Sequence, residues 1–343
     1  MRRIAVRSHD EGGATAVMVA LLMVVLLGSA AFAVDFGHIV AERSQLQNGA
    51  DAAALAVADT CANTATQSSC LSDASNTAST YAKTNTNDSI GVAGMPTVDQ
   101  GAGTATVGTT TPTGTVSMTF AKILGIDSMP VNATATAVWG YPKSGLSTLP
   151  LAFSACELNV HSSATNPIPQ KVVLQGGGTA DCNGKNPSNQ TLPGGFAWLS
   201  PTGPGPCDVK VTAGPESDLT TWIKTSSGAS IPTYCKYLFD TTDPRNVLDK
   251  TVALPVYDDI ATTPPTPNPS ATGSNTWYHV AKWAGFHVLG WKLASTQAGP
   301  NVWGGDKGLY GYFVGFAADP SVFQDLTMDP NGQGNLYVVK LNK

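Results

Sequence analysis

The architecture of this chain is decided by residues 14–34, which read ATAVMVALLMVVLLGSAAFAV and contain no charged side chain. A hydrocarbon core of about 30 Å is crossed by about 20 apolar residues in a helix, which is the length of this stretch. A helix also satisfies its own backbone hydrogen bonds, as lipid requires. Residues 14–34 are therefore predicted to form a transmembrane helix.

The flanking charges predict the orientation of this helix. Three basic residues precede it: Arg2, Arg3 and Arg7. Beyond it, Arg43 is accompanied by the acidic residues Asp35 and Glu42. Because basic residues favour the cytoplasmic side, residues 1–13 are predicted to be cytoplasmic and the C-terminal part to be exported across the inner membrane.

A cleaved signal peptide is the alternative interpretation, because Ala31-Phe32-Ala33 fits the small-x-small cleavage pattern. Two features favour an uncleaved helix instead. The apolar stretch exceeds the roughly 7–15 residues of a signal-peptide core. The helical pattern also continues beyond the stretch with no proline before residue 60.

The second half of the helix is predicted to end at about Asp59. Five apolar residues recur at helical spacing on one face: Ile39, Leu46, Ala50, Ala53 and Val57. At about 1.5 Å per residue, one helix from Ala14 to Asp59 is roughly 70 Å long. Its first half would lie in lipid, and its second half would present this seam for packing.

Composition agrees with an exported protein. Only 13% of the residues are charged and the net charge is −5, which argues against nucleic acid as a partner, since nucleic acid requires a basic face.

All six cysteines follow the apolar stretch: Cys61, Cys70, Cys156, Cys182, Cys207 and Cys235. An even number on the exported side predicts disulfides. Short spacing favours the pair Cys61–Cys70, and the pairing of the other four cysteines stays open.

The N-terminal region combines the uncharged span with Asp35-Phe36-Gly37, a following Arg, and the run LQNGADAAALA from Leu46 to Ala56. This combination resembles the N-terminal region of TadE/TadG-like proteins of Flp (tight adherence) pilus assembly. The residues that carry it are Asp35, Gly37, Arg43, Leu46, Gln47, Asp51, Ala53 and Leu55. In this family the run has Ala where Gly49 stands here. The resemblance implies a role in building or anchoring a pilus at the cell envelope.

The resemblance is to the TadG-like branch. Family pilins and TadE-like proteins are cut after a Gly that has a Glu five residues on. Here Gly13 is followed at that position by Met18, so the resemblance implies an uncut anchor. It also implies that the partners are the lipid bilayer and other pilus-assembly or pilin-like membrane proteins.

The predicted fold class is α+β. A transmembrane helix continues into a small pilin-like proximal domain, residues 35–142, with a second helix and Thr/Val-rich strands. A mainly β, sandwich-like exported domain with disulfides follows at residues 146–343, where many short strand candidates are separated by Gly- and Pro-rich turns.

Searches for chemistry give no catalytic, cofactor-binding or metal-binding motif. His279 and His287 lie on two strand candidates separated by Ala284-Gly285 and would face each other if these formed a hairpin. Two hydrogen-bonded strand residues are the simpler interpretation. Asp258 and Asp259 are adjacent, so their side chains would point to opposite faces of a strand.

The leading functional prediction is a membrane-anchored, non-catalytic structural component of pilus assembly or a related envelope secretion apparatus, without a small-molecule ligand. The first alternative is an exported binding protein or adhesin whose ligand face is aromatic: Trp277, Tyr278, Trp283, Phe286 and Trp291. Core packing is the commoner role of such residues. The second alternative is an exported hydrolase, which requires at least two of His279, His287, Asp258 and Asp259 to converge in a pocket.

Overall fold

The computed structural model describes residues 12–62, 67–87, 89–147, 149–161, 168–173, 196–202, 207–226, 231–268, 271, 276–293, 296–314, 317–318, 324–332 and 336–342. The three arginines behind the orientation prediction, and Cys182, lie outside these ranges.

The helices are α1 (Gly12–Ala62), α2 (Gln67–Thr84) and α3 (Ala155–His161), with short 3-10 turns at Ala121–Leu124, Leu219–Thr221 and Thr233–Phe239. The first eight strands are β1 (Val92–Ala93), β2 (Thr97–Asp99), β3 (Thr104–Ser117), β4 (Ser128–Ser147), β5 (Leu151–Ser154), β6 (Gln170–Val173), β7 (Phe196–Trp198) and β8 (Val209–Thr212). The next eight are β9 (Trp222–Lys224), β10 (Lys250–Ala261), β11 (Trp277–Leu293), β12 (Thr296–Ala298), β13 (Gly308–Val314), β14 (Ala317–Ala318), β15 (Gln324–Asp329) and β16 (Tyr337–Leu341). The predicted α+β class, a long apolar helix followed by a mostly β region, is confirmed.

The helix α1 is continuous through and beyond the apolar stretch, as predicted. Among the helices of the described chain, it is the one long and apolar enough to cross a membrane by length and composition, with a mean hydropathy of 2.7 over its most apolar stretch. Its second half packs on β3, β4 and α2. The buried contacts include Leu46, Ala50, Ala53 and Val57 of the predicted seam.

The first sheet is built on the hairpin of β3 and β4. The two strands pair antiparallel from Thr104 opposite Val138 to Ser117 opposite Ser128. Alternate β3 residues are buried from Ala105 onwards, so one face of the strand is turned toward α1. Within the described chain, the sheet order is β1-β3-β4-β16-β14, with β2 on β3 and both β8 and β15 on β4.

The second sheet has the order β6-β13-β11-β10-β5-β7 among the described strands, with β9 and β12 on β11. A core cluster joins the two sheets, since it combines Val209 and Val338 of the first sheet with Tyr257 and Trp283 of the second. The sheets therefore share a hydrophobic core. Strand β4 runs through the predicted boundary between residues 142 and 146, and the division into two domains stays a prediction.

The strand β11 corrects one prediction. Two strands separated at Ala284-Gly285 were expected, yet β11 is continuous through both residues. The glycine is explained by close packing, since a Cβ on Gly285 would lie 2.4 Å from Cγ2 of Val314 on β13. Glycine in a strand interior often marks such a close approach.

Disulfides are present, as the cysteine pattern predicted. Cys61 at the end of α1 is bonded to Cys70 in α2, and Cys207 is bonded to Cys235. Cys156 is also disulfide-bonded. The first bond closes the connection between the two helices, and the second lies in the core of the β region.

Candidate site at the membrane boundary

Asp35 is the first residue after the apolar stretch, and α1 turns it toward the tip of the β3–β4 hairpin. We call this tip, residues 118–127, the boundary loop. The side chain of Asp35 is 5% exposed. Its Oδ1 accepts hydrogen bonds from the backbone N–H of Thr119 at 2.8 Å and Phe120 at 3.2 Å. Its Oδ2 accepts from Phe120 at 3.0 Å and Ala121 at 2.6 Å.

These bonds make Asp35 the cap of the 3-10 turn Ala121–Leu124. The first N–H groups of a helical turn have no partner within the turn, and a side-chain oxygen usually supplies one. Phe120 occupies the capping position and has no side-chain acceptor. The carboxylate of Asp35 replaces it from another element, and Gly125 closes the turn in the left-handed conformation at φ 81°.

The electrostatics favour a charged carboxylate at this position. Burial acts to raise the pKa of Asp35, but the backbone hydrogen bonds from Ala121, Thr119 and Phe120, together with the nearby His38, outweigh it and lower the pKa below its ordinary value. Asp35 is therefore a charged acceptor whose two oxygens are both committed to the boundary loop.

An apolar groove of about 490 Å³ lies between α1 and the boundary loop. On the α1 side it is lined by Gly28, Phe32 and Ile39, among others. On the other side the boundary loop contributes Ile123 and Leu124, whose side chains are 85% and 82% exposed. Large apolar surface of this kind marks an interaction site more often than a chance feature of a surface.

The other motif residues lie farther along α1 and fall into two groups. Leu46 and Ala53 are buried against the sheet, and Leu55 packs at the margin of the same core. The backbone C=O of Leu46 also accepts a hydrogen bond from the Thr109 hydroxyl at 2.7 Å, which fixes the helix on β3.

The polar motif residues lie around this seam. Gln47 donates from Nε2 to Asp51 Oδ1 at 2.7 Å, one helical turn away. Gly37 and Arg43 are exposed. The motif thus contains a packing seam and, separately, the cap formed by Asp35.

Of the four distal residues singled out for chemistry, His279 and Asp258 are in contact, whereas His287 is bonded to other residues. His279 is buried on β11; its Nδ1 is 2.5 Å from Asp258 Oδ1 and its Nε2 is 3.0 Å from the carbonyl oxygen of Gly214. Burial acts to lower the pKa of His279, but the hydrogen bond to Asp258 and the neighbouring acceptors raise it above its ordinary value. With both nitrogens bound, the ring serves as a structural cross-link. Asp259 is buried, and its Oδ1 accepts the Ile260 N–H at 2.8 Å.

The hypothesis that His279 and His287 face each other is wrong. Both residues lie on the one continuous strand β11, so their side chains are separated along the length of that strand. His287 instead bonds through Nε2 to Asp249 at 3.1 Å and through Nδ1 to the Thr251 hydroxyl at 3.0 Å. Within the described residues, no group of three or more His, Cys, Asp or Glu side chains could hold a metal ion.

The proposed aromatic ligand face is part of the core. Tyr278, Trp283, Phe286 and Trp291 are each at most 1% exposed, and Trp277 is half-buried. Phe286 packs edge-on against neighbouring aromatic rings of β5 and β13. The binding-protein alternative thereby loses the exposed surface on which it rested.

Sequence reasoning missed the boundary loop as the partner of Asp35. The loop contains the 3-10 turn Ala121–Leu124. The available signal was the apolar content of FAKILGI, residues 120–126, between two polar strands. Such a run in a surface turn indicates an interaction, but its partner lies more than eighty residues away along the chain.

Comparison with known proteins shows a family similarity for the N-terminal segment. Residues 12–60 match the family model described as Flp pilus-assembly TadE/G-like, which confirms the resemblance. The matched range lies entirely within α1, so it covers the apolar stretch, Asp35 and the packing seam but none of the strands. No curated protein and no solved structure matches the chain.

Proposed function

We propose that this chain is a non-catalytic, membrane-anchored assembly component of a Flp-type pilus, of the uncut TadG-like kind. The first part of α1 spans the inner membrane once, with residues 1–13 in the cytoplasm. The β region is exported and contacts other pilus-assembly or pilin-like membrane proteins. The family match over residues 12–60 supports the assignment to pilus assembly.

The observation that carries the membrane anchor is the exposure of α1 before Asp35. From residue 15 to residue 34, every side chain is exposed except Ala31, which is half-buried. A helix that is apolar on all sides is stable in water only if it is buried in protein. The sheets cover only the second half of α1, so a bilayer is the environment that suits the first half.

The first experiment tests the anchor in native cells. We expect the full chain to stay in the membrane fraction after alkaline carbonate extraction, with an intact mass that includes residues 1–33. A soluble form that begins at Val34 would mean that Ala31-Phe32-Ala33 is a cleavage site, and it would overturn the anchored role. The variant Val25→Arg should lose membrane retention, because a charge at the centre of the span costs about 2.5–3.5 kcal/mol. Val25→Leu is the matched control and should be retained.

The second experiment tests pilus assembly. Deletion of the coding sequence in native cells should abolish pili in sheared surface fractions and in electron micrographs, and the full chain should restore them. A variant with the sheets intact but the anchor disabled, Val25→Arg, should not restore them. Normal piliation in the deletion strain would contradict the proposed role.

A further inference from the structure

We propose that the boundary loop is a second membrane contact, which enters the exported leaflet beside α1 and holds the exported region at a fixed depth. The occupant of the apolar groove and of the loop surface is then the lipid acyl layer. This inference rests on the membrane anchor proposed above, and its test separates the two.

The depth of the loop follows from its contacts with α1. The groove that Ile123 and Leu124 line extends down α1 to Gly28. Gly28 precedes Asp35 by two helical turns, which is about 10 Å along the helix axis. If residues 14–34 cross the bilayer, Gly28 and Phe32 lie in its apolar layer. The loop side chains that line the same groove lie beside the stretch of α1 from Gly28 to Ile39, at the exported end of the apolar layer.

The side chains of the loop have the chemistry of an interfacial segment. Ile123 and Leu124 are almost fully exposed, and Phe120 and Ile126 are 40% and 45% exposed. The exposed Lys122 adjoins them, and a lysine can extend its ammonium group to lipid phosphates while its stem lies along the apolar surface. The loop surface is continuous with the exposed apolar face of α1, so one lipid layer would cover both.

At least seven of the ten backbone N–H groups of the loop have an acceptor in the structure. An unsatisfied N–H group is costly in the apolar layer, and irregular chain exposed to lipid is not found within the hydrocarbon region, so the loop backbone is placed at the interfacial edge and only its apolar side chains reach inward. Asp35 accepts the N–H groups of Thr119, Phe120 and Ala121. Within the loop, the N–H groups of residues 118, 123, 125 and 126 donate to backbone carbonyl oxygens at 2.9–3.1 Å.

Lipid fits the groove better than a polar or charged partner does. The groove lining is apolar apart from Asp35, and both oxygens of Asp35 are already bonded to the loop. The lining therefore offers shape and apolar area but no free polar group to orient a specific partner. Acyl chains require nothing more.

The test uses the full chain in phosphatidylethanolamine/phosphatidylglycerol vesicles with one environment-sensitive NBD label on an introduced thiol. The disulfide-bonded cysteines do not react with the label. Three positions are compared: Ile123→Cys in the loop, Leu26→Cys in the apolar stretch, and Leu219→Cys as the control. Leu219 is 61% exposed and begins another 3-10 turn, Leu219–Thr221, in the β region. Emission is measured with ordinary and with brominated lipids.

We expect brominated lipids to reduce the emission of the labels at positions 26 and 123 by about twofold or more, and to leave the label at position 219 unchanged, because the quencher acts only at contact with acyl chains. Quenching at 26 but not at 123 would overturn the inference and leave the anchor intact. A blue-shifted but unquenched label at 123 would also overturn it, since protein and not lipid would then cover the loop. An unquenched label at 26 would contradict the anchor itself.

Discussion

The two halves of α1 belong to one uninterrupted helix, yet they differ in every contact they make. Residues 15–34 touch little of the protein, whereas the half from Leu46 onward is packed against β3, β4 and α2. The difference lies in how apolar side chains are distributed around the helix. The first half is apolar on all sides, and the second half concentrates small apolar residues in one seam, with polar residues opposite.

Small residues make up most of the seam that fixes α1 to its sheet, and Leu46 and Val57 lie among them. Ala50, Ala53 and Ala54 are fully buried, while the leucines and valines of the first half are exposed. Alanine lets the backbones of a helix and a strand approach closely. In the first half of α1, large apolar side chains on every side leave no polar face that could be exposed to water. Asp35 stands between the halves and is bonded to the boundary loop.

The largest expected effect comes from comparing the same substitution, Leu to Ala, in the two halves of α1. Leu46→Ala should destabilise the packed half of α1 and its sheets by about 2–5 kcal/mol, because it opens a cavity in a fully buried seam. Leu22→Ala, at a side chain that is 62% exposed, should change the stability of that region by less than about 0.5 kcal/mol. The measurement is thermal unfolding of the full chain in detergent micelles, followed by near-ultraviolet circular dichroism.

Equal effects of the two substitutions would refute the division of α1 into a packed half and a lipid half. The control for the cavity is Leu46→Met, which keeps the volume of the side chain and should lower the free energy of unfolding by less than about 1.5 kcal/mol. Its behaviour would show that the cavity, and not the loss of a leucine, causes the effect.

The second expected effect concerns the end of the packed half. The bond between Cys61 and Cys70 closes a connection with a sequence separation of 9. Replacing both residues by Ser should lower the free energy of unfolding by about 2.5 kcal/mol, on the chain-entropy argument for a short loop. The matched pair is Cys207→Ser with Cys235→Ser, whose separation of 28 predicts a loss of about 3.5 kcal/mol on the same argument. Chemical denaturation of the oxidised full chain measures both.

If the first double variant unfolds like the unmodified chain, the contacts between α1 and α2 hold the connection without the bond. Hydrogen exchange in α2 (Gln67–Thr84) would then stay slow. Fast exchange confined to α2 would instead assign the lost stability to this helix.

The third effect is confined to the junction of the two halves. Asp35→Asn keeps the size of the side chain but replaces one oxygen acceptor by an amide, so the N–H groups of residues 119–121 lose acceptors. Their hydrogen exchange should accelerate about tenfold or more, because bonds to a charged acceptor are stronger than neutral ones. The matched control is Asp218→Asn, where the carboxylate caps its own 3-10 turn through the Thr220 N–H at 2.8 Å. This change should leave the boundary loop unaffected.

The same cap predicts a dependence on pH. The pKa of Asp35 is lowered in the folded protein. A lowered pKa gives stabilisation that is complete above the ordinary value near 4 and is lost as the pH falls through the folded value. Exchange of residues 119–121, corrected for its intrinsic rate, should therefore be constant from neutral pH down to about pH 5 and accelerate only in stronger acid. Acceleration between pH 7 and 6 would point to another group.

The sequence predicts those parts of the molecule whose structure depends on residues that are close together in the chain. The length of α1 follows from an uncharged run and a helical seam, and β3 and β4 follow from alternating Thr and Val. Contacts between distant segments leave no such periodic signal. Gly285 looked like a turn because nothing nearby in sequence reveals Val314, the side chain that excludes a Cβ there.

The same reason hid two features of the first sheet. Asp35 could be identified as a motif residue, but its three N–H partners lie in a loop more than eighty residues away. The C-terminal strand β16 was predicted as part of a distal domain, yet it pairs with β4, with Lys340 opposite Val138. Nothing in the sequence of β16 itself indicates which strand it pairs with.

The smallest expected effect tests whether strand β16 is bonded to the packed half of α1. The hydroxyl of Tyr337 on β16 donates to Oδ1 of Asp59 at 2.7 Å, near the end of α1. Tyr337→Phe removes the hydroxyl and leaves the buried ring in place, so it should cost about 0.5–1.5 kcal/mol, the usual net value of one hydrogen bond. The control is Tyr310→Phe on β13, a half-buried tyrosine of the other sheet. A double-mutant cycle with Asp59→Asn measures the coupling between the two residues. Coupling near zero would mean that β16 is held by its pairing with β4 alone, and the packed half of α1 would then end at the seam and not at the C-terminal strand.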